Sequence, residues 1–208
     1  MPGGEKLADN SEMPGEKVAL AAYQLTVTLL GIRPAIWRRF QVPAFIPLGS
    51  LHEVLQIVMG WTNSHLHQFE KDGKHYGVPE DDEFGNLGIT DESKFTLDQL
   101  LKRDADSLVY VYDFGDDWRH DLVLEKILPA ETGTVRPVCL AGERHCPPEN
   151  VGGAPGYAEF LEAIFDPKHK EHDQYVRWAG ARFRPEKFDM KAVSEALSKM
   201  AWPVRPRQ

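Results

Sequence analysis

His65 and His67 lie two residues apart in the run HLHQFEK. Residues two apart in an extended strand project from the same face, about 6.5–7 Å apart at a rise of about 3.3 Å per residue. Two neutral imidazoles so placed can share one divalent ion. His120 follows Trp118 on a second alternating run, and Asp113, Asp116 and Asp117 crowd the turn before it in YDFGDDWRH. If a sheet brings these runs together, His65, His67 and His120 with the Asp113 carboxylate make a ligand set suited to zinc or a similar divalent ion, able to activate water. Trp61, Asp116, Asp117, Trp118 and Glu149 then line a cleft beside it. The plainer reading is a packed, hydrogen-bonded wall flanked by Trp61 and Phe69, with Gly115 and Asp116 acting only as turn formers.

Other chemistry-bearing residues are weaker. Cys139 and Cys146, with His145, have no standard zinc spacing and read as free, small buried hydrophobes in a reducing compartment. His169 and His172 are spaced to chelate on a helix, but just after Pro167 they fit a surface position or a cap on the preceding helix. Arg38 and Arg39 beside Trp37 could pair with phosphate; their stems can equally cover a sheet while their heads meet acidic residues. Tyr110, Tyr112 and Trp118 fit an aromatic core better than a stacking platform for bases. No Cys-x-x-Cys, His-Glu-x-x-His, phosphate-loop or Gly-x-Ser-x-Gly pattern occurs, so nucleophilic hydrolysis has no support.

These residues must be positioned by strands and a few capped helices. Tyr23–Leu30 alternates as a half-buried strand, and Ile36–Val42 reads as its hairpin partner. Ser50–Met59 is the clearest helix, with Ser50-x-x-Glu53 as a capping box and Gly60 as its stop. His65–Lys71 and Lys74–Val78 form a hairpin about Asp72-Gly73. The stretch 80–92 carries Glu80, Asp81, Asp82, Glu83, Asp91 and Glu92 and reads as a solvated acidic loop. Thr96-x-x-Gln99 opens a short helix; Ser107–Phe114 and Trp118–Ile127 are strands. Residues 137–155, with four prolines and three glycines, read as a long functional loop. Helices then follow: one presenting Tyr157, Phe160, Leu161 and Ile164, then His169–Trp178, then Asp189–Met200 with Met190, Val193, Leu197 and Met200 inward.

Strands first and helices last give an α+β fold, with a mainly antiparallel or mixed sheet of three to five strands, a capped helix packed on it and a helical layer at 156–200. Residues 1–17 read as a flexible leader and 18–202 as a single domain. The 208 residues are 42% hydrophobic and 27% charged, which excludes a disordered, collagenous or coiled-coil chain. A net charge of −8 argues against a general phosphate-binding surface, although Asp166–Gln208 holds 10 basic and 6 acidic residues. Neither a secretory pattern nor an apolar run of membrane-spanning length occurs, so a cytoplasmic protein with no membrane partner is expected.

Several spaced motifs resemble one family. They are Pro34-Ala35-Ile36-Trp37-Arg38-Arg39, Leu51-His52 with Gly60-Trp61, His65-Leu66-His67 with Phe69, and the run Tyr112–Trp118 with His120 and Leu124-Glu125. Cys146–Gly153 with Gly156-Tyr157, Asp166-Pro167, His172, Trp178-x-Gly180 and Phe183-x-Pro185-Glu186-x-Phe188-Asp189 continue the series. Together they resemble the Ri-plasmid open-reading-frame-three-like family of bacterial and archaeal proteins, over roughly residues 20–200. Some members carry labels as passenger proteins of insertion elements. The resemblance implies a compact α+β fold and brings no established activity. Asn150 departs from it, an Asp being expected there; a ligand or base at that position would be weaker in this chain.

Three functions follow, in order of support. The first is a non-catalytic binding or interaction domain, motivated by aromatic and polar residues at turns without a complete catalytic constellation. The second is a metal-dependent hydrolase or nuclease using the His/Asp cluster. The third is a nucleic-acid-binding accessory of mobile elements, resting on the basic last fifth. Partners are accordingly protein or nucleic acid.

Overall fold

Alternation builds the sheet. In β1 (Ala21–Leu29) the residues Tyr23, Leu25, Val27 and Leu29 are buried while Gln24, Thr26 and Thr28 face the other side. Seven further strands continue it: β2 (Trp37–Pro43), β3 (His67–Lys71), β4 (Lys74–Gly77), β5 (Thr90–Asp91), β6 (Ser107–Tyr112), β7 (Trp118–Pro129) and β8 (Val138–Glu143). This computed structural model describes residues 21–79, 88–129, 136–180 and 183–201. The expected leader at 1–17 and the acidic residues Glu80–Glu83 lie outside them.

The strands form one sheet in the order β5-β4-β3-β6-β7-β1-β2-β8, larger than the three to five strands expected. Only β4 and β5 run parallel; every other neighbouring pair is antiparallel. The register sets two rows of inward side chains across β3, β6 and β7. His67, Tyr112 and Trp118 occupy one row; Phe69, Tyr110 and His120 occupy the next. An α+β architecture results, with α1 (Leu48–Met59), α2 (Leu97–Leu100), α3 (Gly153–Phe165), α4 (His172–Ala179) and α5 (Met190–Lys199). Leu51, Val54, Leu55 and Val58 of α1 join the inner sheet residues Leu25, Phe40 and Leu122 in one core. Each such side chain stabilises the fold by about 1.5–3 kcal/mol on full burial.

Several local expectations are corrected. α1 starts at Leu48, not Ser50, because Pro47 holds the extended conformation before it and its carbonyl accepts from Leu51 N at 2.9 Å. Ser50 therefore sits inside the first turn and the expected Ser50/Glu53 box does not cap it. The loop 137–155 contains β8, which pairs with β2 despite Pro137 just before it and Gly142 within it. α3 begins at Gly153, ahead of the apolar face, since Pro155 is tolerated in a first turn. Met190 is exposed rather than inward, leaving Leu197 as the fully buried residue of α5. Asp189 caps that helix by accepting from Ala192 N at 2.9 Å. His172 Nδ1 donates to the Ala163 carbonyl at 2.9 Å, tying α4 to the end of α3.

The arginines divide. Arg39 makes the expected acidic pairing, a bidentate contact with Glu125 at 2.7 Å through each nitrogen. Arg38 is buried and instead donates to the carbonyls of Val58, Trp37 and Glu143, with its guanidinium over the Phe188 ring. Burial lowers its pKa to about 10. Cys139 and Cys146 are buried free thiols, and burial pushes Cys146 up to about 12. Among the described residues, no helix is long and apolar enough to cross a membrane.

Candidate functional site

His65 lies in the loop before β3, not in the strand, so it does not share the His67 face as expected. Tyr112 causes this by capturing Ser64 N on its hydroxyl at 2.9 Å, while Asn63 bends the chain through the left-handed region at φ 54°. The His65 ring turns towards the β6–β7 turn. Its Nε2 stands 3.4 Å from Asp113 Oδ2 and 3.8 Å from Glu149 Oε2, is buried, and has no hydrogen bond. Asp113 itself has φ 58°, and its Oδ1 accepts from Gly115 N at 3.0 Å and Asp116 N at 3.2 Å. An Asp is at home here because its short side chain tolerates this conformation and closes the turn.

The loop containing Glu149 is clasped onto that turn. Asp116 Oδ2 accepts from Gly152 N at 3.1 Å. A Cβ on Gly153 would stand 2.7 Å from the Asp116 carbonyl oxygen, so glycine is required for this approach. Glu149 Oε1 accepts from Thr62 N at 2.9 Å and from the Tyr112 hydroxyl at 3.0 Å. Burial, and then the Glu149 charge, push the Tyr112 phenol upward, so it remains a donor to that carboxylate. Asn150 is exposed and left-handed at φ 59°, a turn position rather than a member of the cluster. Asp117 is also left-handed, and its carboxylate lies 3.7 Å from Arg119.

His67 belongs to a different assembly. It donates from Nε2 to Glu92 Oε2 at 3.0 Å, and its ring stacks on His52 at 3.5 Å between centroids. Glu92, expected in a solvated loop, is buried by this contact. Behind it runs a closed ring of hydrogen bonds. Gln56 Nε2 donates to the Tyr110 hydroxyl at 3.0 Å, and that hydroxyl donates to His52 Nδ1 at 2.8 Å. His52 Nε2 donates to Asn63 Oδ1 at 2.8 Å, and Asn63 N returns to Gln56 Oε1 at 2.8 Å. The Asn63 amide oxygen can only accept, so His52 Nε2 carries a proton, and Tyr110, already accepting from Gln56, gives its one proton to His52 Nδ1. His52 must therefore be neutral with its proton on Nε2. Burial, reinforced by the neighbouring His67, lowers its pKa to about 4.

His120 is separate again. It is fully buried, donates from Nδ1 to the Tyr110 carbonyl at 3.0 Å and leaves Nε2 without a partner. Burial lowers its pKa to about 4. β6 stands between His67 and His120, which the register sets two strand spacings, roughly 10 Å, apart and one row along. Of the four metal candidates, only His65 and Asp113 meet. Among the described residues, no group of three or more His, Cys, Asp or Glu is arranged to hold a metal ion. Trp61 and Trp118 are buried pillars rather than cleft walls: Trp61 stacks on Tyr112, meets His120 edge-on and donates to the Pro147 carbonyl at 3.1 Å.

The motif order across the chain has a counterpart in known proteins. The family described as plasmid pRiA4b ORF-3-like protein matches residues 21–192. The chain belongs to this family. A relative in it, the uncharacterized protein y4hQ of Sinorhizobium fredii, is 44% identical over 158 residues, covering 76% of this chain and 80% of y4hQ. The crystal structure of MM3350 from Methanosarcina mazei Go1, a protein of unknown function, superposes with a TM-score of 0.75 at 38% identity. That match covers 85% of this chain and 99% of MM3350, so the fold is shared by nearly the whole neighbour.

Sequence reasoning missed His52, Gln56, Asn63, Tyr112 and Glu92 as members of polar clusters. One signal was available: His52 and Gln56 are one helical turn apart on the otherwise apolar face of α1, where paired polar residues require partners. Glu92 gave none, because an acidic residue in an acidic stretch reads as solvated.

Proposed function

We propose that this chain is a non-catalytic binding module whose recognition surface is the loop end carrying His65, Asp113 and Glu149. The observation that carries the reading is how the carboxylates are used. Asp113 and Glu149 accept from backbone amides and from Tyr112, and so hold two loops against one turn. Leu66 and Phe114 remain exposed beside them, on either side of the Asp113 N to Leu66 O hydrogen bond at 2.9 Å. An apolar pair next to acidic groups suits a protein segment with apolar and cationic side chains. Nucleic acid suits it poorly, since the carboxylates of Asp113, Asp116 and Asp117 repel phosphate.

Photo-crosslinking in the producing cell tests this, with the reactive group at Leu66, at Phe114 and, as control, at Thr28 on the open sheet face. A discrete adduct from Leu66 and Phe114 alone, lost in Asp116→Lys, supports the module. Adducts equal at all three positions, or turnover of a screened substrate that disappears in His65→Ala, reject it.

A second reading, a metal-dependent hydrolase or nuclease, draws support from His65 Nε2 standing without a hydrogen bond between two carboxylates. Zinc or manganese bound in stoichiometric amount, and lost in His65→Ala, would favour it. No metal retained and no thermal stabilisation by either ion rejects it.

A further inference from the structure

Among the described residues β8 is an edge strand of the sheet. Val138 and Leu140 stand exposed on it, and an apolar edge invites pairing with other chains unless something covers it. Beside the strand lies a mainly apolar groove of about 270 Å³. Pro137, Val138 and Cys139 line one side of it, and Ser194, Leu197 and Ser198 of α5 line the other. An apolar cavity of about 150 Å³ accommodates benzene, so this groove has room for a two-ring side chain.

Reach, hydrogen-bonding character and charge select one occupant. Leu197 and Ser198 lie in the last turn of α5, Met200 turns the chain into an extended conformation, and the described residues end at Ala201. Trp202 comes next, at most about 7 Å of chain beyond Met200. The Ser194 hydroxyl donates to the Met190 carbonyl at 2.8 Å and that of Ser198 to the Glu195 carbonyl at 2.7 Å, which leaves both oxygens as acceptors. An indole nitrogen can only donate. Arg136 also lines the groove, and Trp202-Pro203-Val204 brings no charge to oppose it. The other segment that adjoins the groove in sequence, residues 130–135, offers Ala130 and Val135 as its apolar side chains and no ring to fill the space.

We propose that the chain's own residues 202–204 dock in the β8–α5 groove, with the Trp202 indole as the anchor, and so cover the edge of the sheet. The contact uses no residue of the loop end and does not depend on what binds there. Photo-crosslinking and fluorine NMR of the full chain test it. Benzoylphenylalanine in place of Trp202 should give an adduct within one chain, on the peptides carrying Val138 or Leu197. With all five tryptophans fluorinated, the resonance lost in Trp202→Phe is that of Trp202. In the wild type it should lie away from the position of the free amino acid. It should shift back to that position in Val138→Asp and in Ser198→Arg, both substitutions at exposed sites. The other tryptophan resonances should stay in place in both variants, separating lost docking from lost fold. A Trp202 resonance at the free position in the wild type overturns the proposal. Adducts elsewhere on the chain, on a second copy or on a different protein, with none in the groove, overturn it equally.

Discussion

Two polar clusters lie within a few residues of each other in the sequence and differ in nearly every physical respect. The inner one, made by His52, Gln56, Asn63 and Tyr110 with His67 stacked on it, is a closed ring in which every hydrogen bond has one permitted direction. The outer one, His65 with Asp113 and Glu149, is clasped by backbone amides yet leaves the His65 Nε2 unpaired. The inner ring ties α1 to β6 and to the loop at Asn63, and each of its buried polar groups has a partner, where an unpartnered one would be costly. The outer cluster shapes a surface. Imidazoles two residues apart, at 65 and 67, are thus given to opposite tasks by the one-residue start of a strand.

Acid should separate the clusters most strongly. His52 and His120 are held neutral, each with a folded pKa of about 4 against an ordinary value of 6.5. The unfolded chain takes up their protons first, so the stability they contribute is complete above about pH 6.5 and is lost as pH falls towards 4. Between pH 7 and pH 5 this is roughly 2 kcal/mol for each group. Urea midpoints at those two values should differ accordingly, and identical midpoints would remove the neutral inner histidines from the account.

Breaking the ring by substitution comes next. His52→Leu leaves the Tyr110 hydroxyl proton without its acceptor and Asn63 Oδ1 without its donor, at about 2–4 kcal/mol. A urea series on this variant with unchanged midpoint would mean that water replaces the imidazole. Glu149→Gln should cost less, about 1 kcal/mol, because the amide oxygen can still accept from Thr62 while the charge-assisted share is lost. Proteolysis should then open the 145–153 loop before the sheet; simultaneous loss of both would show that the clasp belongs to the core. His65→Ala is expected to be the smallest, under about 0.5 kcal/mol by thermal melt, since it removes no hydrogen bond. A larger loss would place His65 within the fold's own framework.

The fold was legible wherever a period was strong. Alternation in YQLTVTLL and WRHDLVLEKI marked β1 and β7, and helical spacing marked α1 and α5. β8 escaped because Pro137 and Gly142 masked a strand whose alternation is completed only by its neighbour β2. The site was half legible. Asp113 and His65 were named and do meet, but the rule that put His67 beside them assumed a strand beginning at 65. Tyr112 and Asn63, remote or conformational influences on that loop, decided otherwise. Partners separated by more than twenty residues, such as His67 with Glu92, leave no periodic trace.

The division between a locked interior and an open rim is tested most directly by long-range ¹H–¹⁵N spectra of the histidine side chains at neutral pH, before and after one equivalent of zinc. His52 should be protonated on Nε2 and His120 on Nδ1, with neither these nor His67 changed by the metal. Zinc shifting His65, His67 and His120 together would contradict it, and would restore a shared ion site.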